Sequence, residues 1–216
     1  NGHPAEQILD FAEKERINLI VIATQGRSGI QRWVLGSVAD KVVNAAKQPV
    51  LLIRASGVHH HEVDKVKTSR ILLALDGSKE SEAVIPYVQE LATRLKAEVV
   101  LLRVVPPPSP VITIPGETMQ IPYTPAQVEL WKAEAAAYLE KKADEFKSKH
   151  IKVSSEVRDG DSAQEIITLA NEAKADLVAM STHGRSGIRR WALGSTADKV
   201  LHGGNTSLFL VRAQAA

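Results

Sequence analysis

THGRSGIRRWALGSTADKV, from Thr182 to Val200, occurs a second time in the same chain as TQGRSGIQRWVLGSVADKV, from Thr24 to Val42. The match extends outward in both directions. Residues 1–55 align without a gap on residues 159–213, at a constant offset of 158, with 23 identities in 55 positions. Such self-similarity at a fixed spacing is the mark of a duplicated structural unit. The second copy has an upstream portion, residues 69–158, that the first copy lacks. The chain therefore holds a C-terminal part of one repeat in 1–55 and a complete repeat in 69–216. Between them, SGVHHHEVDKVKT (Ser56 to Thr68) is polar and aperiodic and reads as a linker. The sequence opens at Asn1 and not at Met, so its first residue need not be where translation begins.

Within the complete repeat, strand and helix patterns alternate. RILLALD (Arg70 to Asp76) is a short apolar run ending at Asp-Gly, as expected of a strand buried on both faces. Val84, Ile85, Val88, Leu91, Ala92 and Leu95 form an apolar stripe at helical spacing, which predicts a helix over 81–96. EVVLLRVV (Glu98 to Val105) is a second buried strand. Seven prolines between Pro106 and Pro125 predict an irregular excursion. Thr124-Pro125 then reads as an N-cap with proline in the first turn, and Val128, Trp131, Ala135, Leu139 and Phe146 share one face of the helix behind it. Ile151 to Val157 alternates as a third strand. Ser162 to Glu165 has the form of a capping box opening a helix to about Lys174. A fourth strand over Asp176 to Ser181, a helix over Ser195 to His202 and a fifth strand over Ser207 to Arg212 complete the unit. Five strands with intervening helices require right-handed crossovers, so the fold class is α/β, a doubly wound, Rossmann-like parallel five-stranded sheet with a partial second copy.

The composition agrees with that fold and excludes several functions. Aromatics make up 4% of the 216 residues, so the core must be built from Val, Ile, Leu and Ala. Twenty-seven basic against 25 acidic residues leave a net charge of +2, which is no footprint for nucleic acid. With no cysteine there is no disulfide, thiolate catalysis or Cys-based zinc site. No apolar run approaches the ~18 residues of a membrane span, and no signal peptide is visible. The expected location is the cytoplasm.

Sheets of this type bind ligands beyond the carboxyl ends of their strands. Two strand ends stand out there, Asp76-Gly77-Ser78 and Ser181-Thr182-His183-Gly184. From the second, nine residues lead to Gly194-Ser195 at a helix start. Glycines let backbone N–H groups approach an anion, and a helix N-terminus adds free donors and a positive dipole end. Arg185, Arg189 and Arg190 in the loop would add charge. Plainer readings stand beside these. Gly184 and Gly194 also suit turns, Ser195 and Ser37 each open a Ser-x-x-Asp capping pattern, and Asp76 suits an Asx turn or a cap. Arg189 and Arg190 equally suit a solvated face. No Walker A motif, G-x-G-x-x-G after a strand, G-x-S-x-G or H-E-x-x-H is present. His183 is not read as a general base, because the first copy keeps the loop with Gln25 in its place. His59, His60 and His61 lie in the linker without a carboxylate framework and are not read as a metal site. Trp33 and Trp191 read as packing anchors.

The β-Asp-Gly-Ser start, the glycine spacing and the Pro49 to Ile53 last strand together resemble the universal stress protein family, over the whole second repeat and the whole first fragment. The family's ATP-binding members carry glycine, two residues, glycine, nine residues, glycine, then Ser or Thr. Here Ser181, Gly184, Gly194 and Ser195 fall on that pattern in the second copy, and Ala23, Gly26, Gly36 and Ser37 in the first. Both copies depart at the first glycine. The resemblance implies a bound adenine nucleotide, ATP or AMP, with or without magnesium. It places Asp76 against the ribose or adenine, the backbone of Ala74, Val104 and Val105 around the base, and Ser181, Gly184, Arg185, Gly194, Ser195 and Thr196 along the phosphates. Ala23, Gly26, Gly36, Ser37 and Val38 would form a second, partial site that lacks a counterpart of Asp76. Family members also pair through their last strands, which implies antiparallel packing of Val50–Ile53 on Leu208–Val211, as a pseudo-dimer or a homo-oligomer. No catalytic or metal-binding residue is assigned. Three functions follow from the sequence: a nucleotide-binding regulatory module, a slow ATPase or phosphoryl-transfer enzyme, and a nucleotide-free interaction protein in which the proline-rich excursion serves as a lid or docking segment.

Overall fold

A computed structural model of the chain describes residues 3–24, 35–54, 68–107, 111–114, 117–120, 123–184 and 193–213. In chain order they form α1 (Pro4–Lys14), β1 (Ile20–Ala23), α2 (Ser37–Ala45), β2 (Val50–Ile53), β3 (Arg70–Ala74), α3 (Lys79–Glu82), α4 (Ile85–Leu95), β4 (Glu98–Val105), β5 (Val111–Ile114), β6 (Glu117–Gln120), α5 (Pro125–Lys147), β7 (Val153–Asp159), α6 (Ser162–Glu172), β8 (Leu177–Ser181), α7 (Ser195–Gly203) and β9 (Ser207–Val211). Of the expected linker, only Thr68 lies among these residues; His59, His60 and His61 lie outside them, as do Gly26, Trp33, Arg185, Arg189, Arg190 and Trp191.

The five strands of the complete copy are parallel, in the order β9-β8-β3-β4-β7. The partial copy extends the same sheet to seven strands, with β1 parallel to β2 and β2 antiparallel to β9. This is the pairing expected of Val50–Ile53 and Leu208–Val211. Leu51 faces Phe209, its own counterpart at the offset of 158, so the local twofold axis passes through that pair.

Alternation along the strands divides the core into two layers. Leu72, Ala74, Val100, Leu102, Val178, Met180, Leu208 and Leu210 point to one face, under α6 and α7, and the layer continues below α1 and α2. Ile71, Leu73, Val99, Leu101, Leu177, Ala179, Phe209 and Val211 point to the other, under α4 and α5. Burial on both faces is why these strands read as continuous apolar runs.

Several local expectations are corrected. The helix expected over 81–96 is broken into α3 and α4, because Pro86 has no N–H to donate to the carbonyl four residues back. Ser78 caps α3 by accepting from the Ser81 N–H at 3.1 Å. Asp161, one residue before the expected capping box, is the N-cap of α6, accepting from the N–H groups of Ala163 and Gln164 at 3.1 and 3.0 Å. The proline-rich excursion contains an antiparallel hairpin, β5 with β6. The third strand starts at Val153 and runs on to Asp159. Thr124 does cap α5, with Gln127 completing a capping box that sequence reading had left out.

Candidate functional site

In a parallel sheet every helix that follows a strand begins at the carboxyl edge, so helix N-termini gather there. Chain order reverses at β3: β4 lies on one side of it and β8 on the other. At that switch point, beyond the ends of β3, β4 and β8, lies a cavity of about 360 Å³. Ala74, Leu102, Val104, Met180 and Ile166 make its floor and wall apolar. Its rim is polar, with Asp76 and Ser81 on one side, Ser181, Thr182, His183 and Gly184 at the end of β8, and Ser162 at the start of α6. Gly194, Ser195, Thr196 and Ala197 bring the start of α7 to the same space.

The residues expected at the site are largely gathered here. Ala74, Asp76, Val104, Ser181, Gly184, Gly194, Ser195 and Thr196 all line the cavity. Val105 does not: it is buried at the end of β4, and its carbonyl accepts from the Gly160 N–H at 3.2 Å. Arg185 and Gly26 lie outside the described residues. In the first copy, Gly36, Ser37 and Val38 stand at the start of α2 as their counterparts do at α7, and Ala23 ends β1 on the surface.

The geometry decides several readings left open by the sequence. The Asp76 Oδ1 accepts from the Ser78 N–H at 2.8 Å and from its hydroxyl at 2.6 Å, an Asx turn, while the side chain still lines the cavity. Gly77 completes that turn at φ +87°, which a side chain rarely adopts. A Cβ at Gly184 would lie 2.2 Å from the Asp76 Oδ2, so any larger residue there requires that carboxylate to shift. Gly194 donates its N–H to the Thr182 carbonyl at 2.8 Å, and a Cβ would lie 3.0 Å from that oxygen. Gly36 repeats both features against Thr24, at 2.9 and 3.1 Å. The N–H of this last glycine therefore closes the loop and is not a donor to a ligand. Nor is Ser195 a capping residue. Gly194 is the N-cap, Ser195 is the first helical residue, and no side chain caps α7. The first intrahelical bond is Asp198 N–H to the Gly194 carbonyl, so the N–H groups of Ser195, Thr196 and Ala197 precede it, at the positive end of the helix.

Electrostatically the cavity is divided. Asp76 is the only charged side chain among its described lining residues, at the β3 side. The α7 N-terminus supplies positive potential at the other. Behind the rim, the Lys199 ammonium 2.9 Å from Asp161, together with the Gln164 N–H, holds that carboxyl below its ordinary range and joins the start of α6 to the middle of α7. His183 Nδ1 is 2.9 Å from the Thr182 hydroxyl, and that hydrogen bond anchors the imidazole on β8's own end. Sequence reading had left out Ser81, Ser162, Ile166, Met180, Leu102 and Thr182. Ser162 had a signal, since Asp159-Gly160-Asp161-Ser162 after β7 echoes Asp76-Gly77-Ser78 after β3. Leu102, Met180 and Ile166 had none, because a buried apolar residue reads the same whether or not a cavity opens beside it.

These features define a doubly wound α/β protein with an apolar, anion-ready crevice at the switch point of its sheet. The chain belongs to the universal stress protein family, whose profile matches residues 1–54 and 67–212. A universal stress protein of Mycolicibacterium smegmatis is 27% identical over 215 residues, covering 96% of this chain. The chain spans 65% of that relative's length. The crystal structure of a universal stress protein from Archaeoglobus fulgidus superposes with a TM-score of 0.63 at 20% identity, covering 99% of this chain and 68% of that one. A universal stress protein crystallised in complex with cAMP superposes with a TM-score of 0.50 at 20% identity, covering 68% of this chain and 99% of that one.

Proposed function

We propose that the cavity between β3 and β8 binds an adenine nucleotide, ATP or AMP, and that the protein is a cytoplasmic regulatory module whose stability and assembly follow nucleotide occupancy. The observation that carries this reading is the meeting of an apolar slot with the open N-terminus of α7. A flat, weakly polar base suits Ala74, Leu102, Val104 and Met180, and phosphate oxygens suit the N–H groups of Ser195, Thr196 and Ala197. The polarity of the site supports one direction. Asp76 repels phosphate and accepts from hydroxyl or amino groups, so the ribose and base lie toward β3 and the phosphates toward α7. A magnesium ion would arrive with the phosphates of ATP; no group of three potential ligand side chains converges among the described residues. The family relative crystallised with cAMP supports an adenine nucleotide as the ligand class.

A ligand bound only by the folded state stabilises it by RT ln(1 + [L]/Kd), about 2.7 kcal/mol at a hundredfold excess over Kd. Calorimetric titration and thermal melting with ATP and with AMP test the reading. One nucleotide per chain and a raised Tm are expected. Thr196→Asp places a carboxylate in the first turn of α7, where the helix itself accepts a negative charge but a phosphate does not. That variant should fold at least as stably as the parent and bind nucleotide at least about tenfold more weakly, a loss of roughly 1.4 kcal/mol. A parent protein whose melting and calorimetry ignore both nucleotides overturns the reading.

A further inference from the structure

The crevice holds a polar group that neither the fold nor the proposed phosphate contacts use. His183 follows β8 directly after Thr182 and lines the cavity. Its backbone is held by the Ser181 hydroxyl, which accepts from the His183 N–H at 3.4 Å. Its Nδ1 is 2.9 Å from the Thr182 Oγ1, and its Nε2 is buried without a partner among the described residues. These contacts decide where the ring carries hydrogen. Thr182 is buried, and among the described residues the imidazole is the one partner of its hydroxyl. A buried hydroxyl that does not donate is destabilising, so the Thr182 O–H donates to Nδ1. A neutral imidazole then carries its hydrogen on Nε2, and a protonated one carries hydrogen there as well. In either charge state Nε2–H is a buried donor with no acceptor among the described residues, an exception to the rule that such groups are satisfied.

The neighbours of His183 place it along the crevice. On one side Gly184 abuts Asp76, since a Cβ there would meet the Asp76 Oδ2. On the other, a Cβ on Gly194 at the start of α7 would lie 3.8 Å from the His183 Cα. His183 therefore stands between the carboxylate that suits a ribose and the helix N-terminus that suits phosphate. We propose that His183 is a specificity-determining residue whose Nε2–H donates to an oxygen of the phosphate joined to the ribose. The inference rests on the nucleotide reading of the cavity and narrows it, because this donor recognises the one phosphate that ATP and AMP share and adenosine lacks. A ribose oxygen or a ring nitrogen also accepts, but an anionic oxygen makes the stronger bond. The repeat points the same way. Gln25, the counterpart of His183, has a side-chain amide that donates from a similar reach, so both copies keep an N–H donor at this position of the sequence.

Two substitutions separate the donor from the ring. His183→Gln keeps an N–H donor, in a loop whose first copy already carries glutamine at this position. His183→Leu removes the donor. AMP and adenosine are titrated calorimetrically into the parent and both variants. His183→Leu should weaken AMP about tenfold or more, the loss expected for a hydrogen bond to a charged oxygen, and leave adenosine within about twofold. His183→Gln should hold AMP within about threefold of the parent. Equal weakening of both ligands by His183→Leu, or an AMP affinity that it leaves unchanged, overturns the proposal. The ring is also read directly in the parent, so a variant that fails to fold leaves the test intact. With isotope-labelled histidine, long-range proton–nitrogen NMR spectra should show hydrogen on Nε2 in the free protein. That nitrogen resonance should shift with AMP and not with adenosine. Hydrogen on Nδ1 alone, or an Nε2 resonance indifferent to saturating AMP, also overturns the proposal. A parent that binds neither ligand overturns the nucleotide reading and this inference with it; a parent that binds AMP while the His183 ring stays silent overturns this inference alone.

Discussion

Gly184 has a second neighbour that its sequence position does not reveal. The glycine after β8 and the acid after β3 are 108 residues apart, yet the fold presses the Asp76 Oδ2 against the Gly184 Cα hydrogens. Gly184→Ala should therefore destabilise the protein by about 1–3 kcal/mol, the usual penalty for forcing a methyl group into a packed site. Removing the obstacle tests the cause. Asp76→Ala combined with Gly184→Ala should recover most of that loss, and urea denaturation of the two single variants and the double variant measures the coupling. Additive losses would refute the contact as the reason for the glycine. The loop glycines were legible in the sequence as special positions, but not why they are special. Gly194 illustrates this as well: its N–H, expected to face a ligand, is spent on Thr182. Such contacts join residues distant in sequence and leave no local pattern to read.

Helix starts set the character of the cavity, and α6 shows how one is held in place. Asp161 caps the helix and pairs with Lys199 in the middle of α7, so one carboxylate ties the start of α6 to its neighbouring helix. Asp161→Ala should cost about 1 kcal/mol through the lost cap. The pH dependence has a definite sign. The Lys199 hydrogen bond, then the Gln164 N–H, depress the folded-state pKa, so the folded protein binds this proton less readily than the unfolded chain. The stabilisation is complete above the ordinary aspartate range and disappears as pH falls through the depressed folded value. Urea midpoints from pH 6 down to pH 3 should thus fall more steeply in the parent than in Asp161→Ala; parallel curves would exclude the cap as a pH-dependent contribution. Strands and long helices were readable at this scale because burial imposes periods on them. Helix boundaries were less so. Ser162 to Glu165 matched a capping box, yet the aspartate one step earlier holds the N-cap position, its carboxylate accepting from two N–H groups of the first turn. The β5–β6 hairpin was hidden by the prolines around it, none of which falls within either strand.

The two copies are joined by more than the β2–β9 ladder. Arg54 follows β2 and reaches across to the second copy, where its Nε donates to the Thr206 carbonyl at 3.1 Å and its Nη2 donates to the Leu201 carbonyl near the end of α7. Its counterpart Arg212 follows β9 and returns the contact, donating to the Asn44 carbonyl near the end of α2 at 2.7 Å. Burial lowers the pKa of both guanidinium groups, and the carbonyls at a helix C-terminus, the negative end of its dipole, offset that burial. The repeat itself announced two related units, and the family resemblance announced which strands would pair. This reciprocal latch was not announced, since an arginine after an apolar strand looks like any solvated charge. The latch also joins the seam to the cavity, because Arg54 holds one end of α7 and the cavity lies at the other. Arg54→Ala should lower stability by about 1.5–3 kcal/mol, the range for hydrogen bonds to a charged donor. Arg54→Lys should restore little of it, because an ammonium cannot span two carbonyls as the planar fork does. Amide exchange in rising denaturant, followed separately at β1 and at β3, distinguishes the outcomes. If the latch couples the copies, Arg54→Ala makes β1 and β2 open before the five-stranded core. If the ladder alone suffices, the two probes continue to report a single transition.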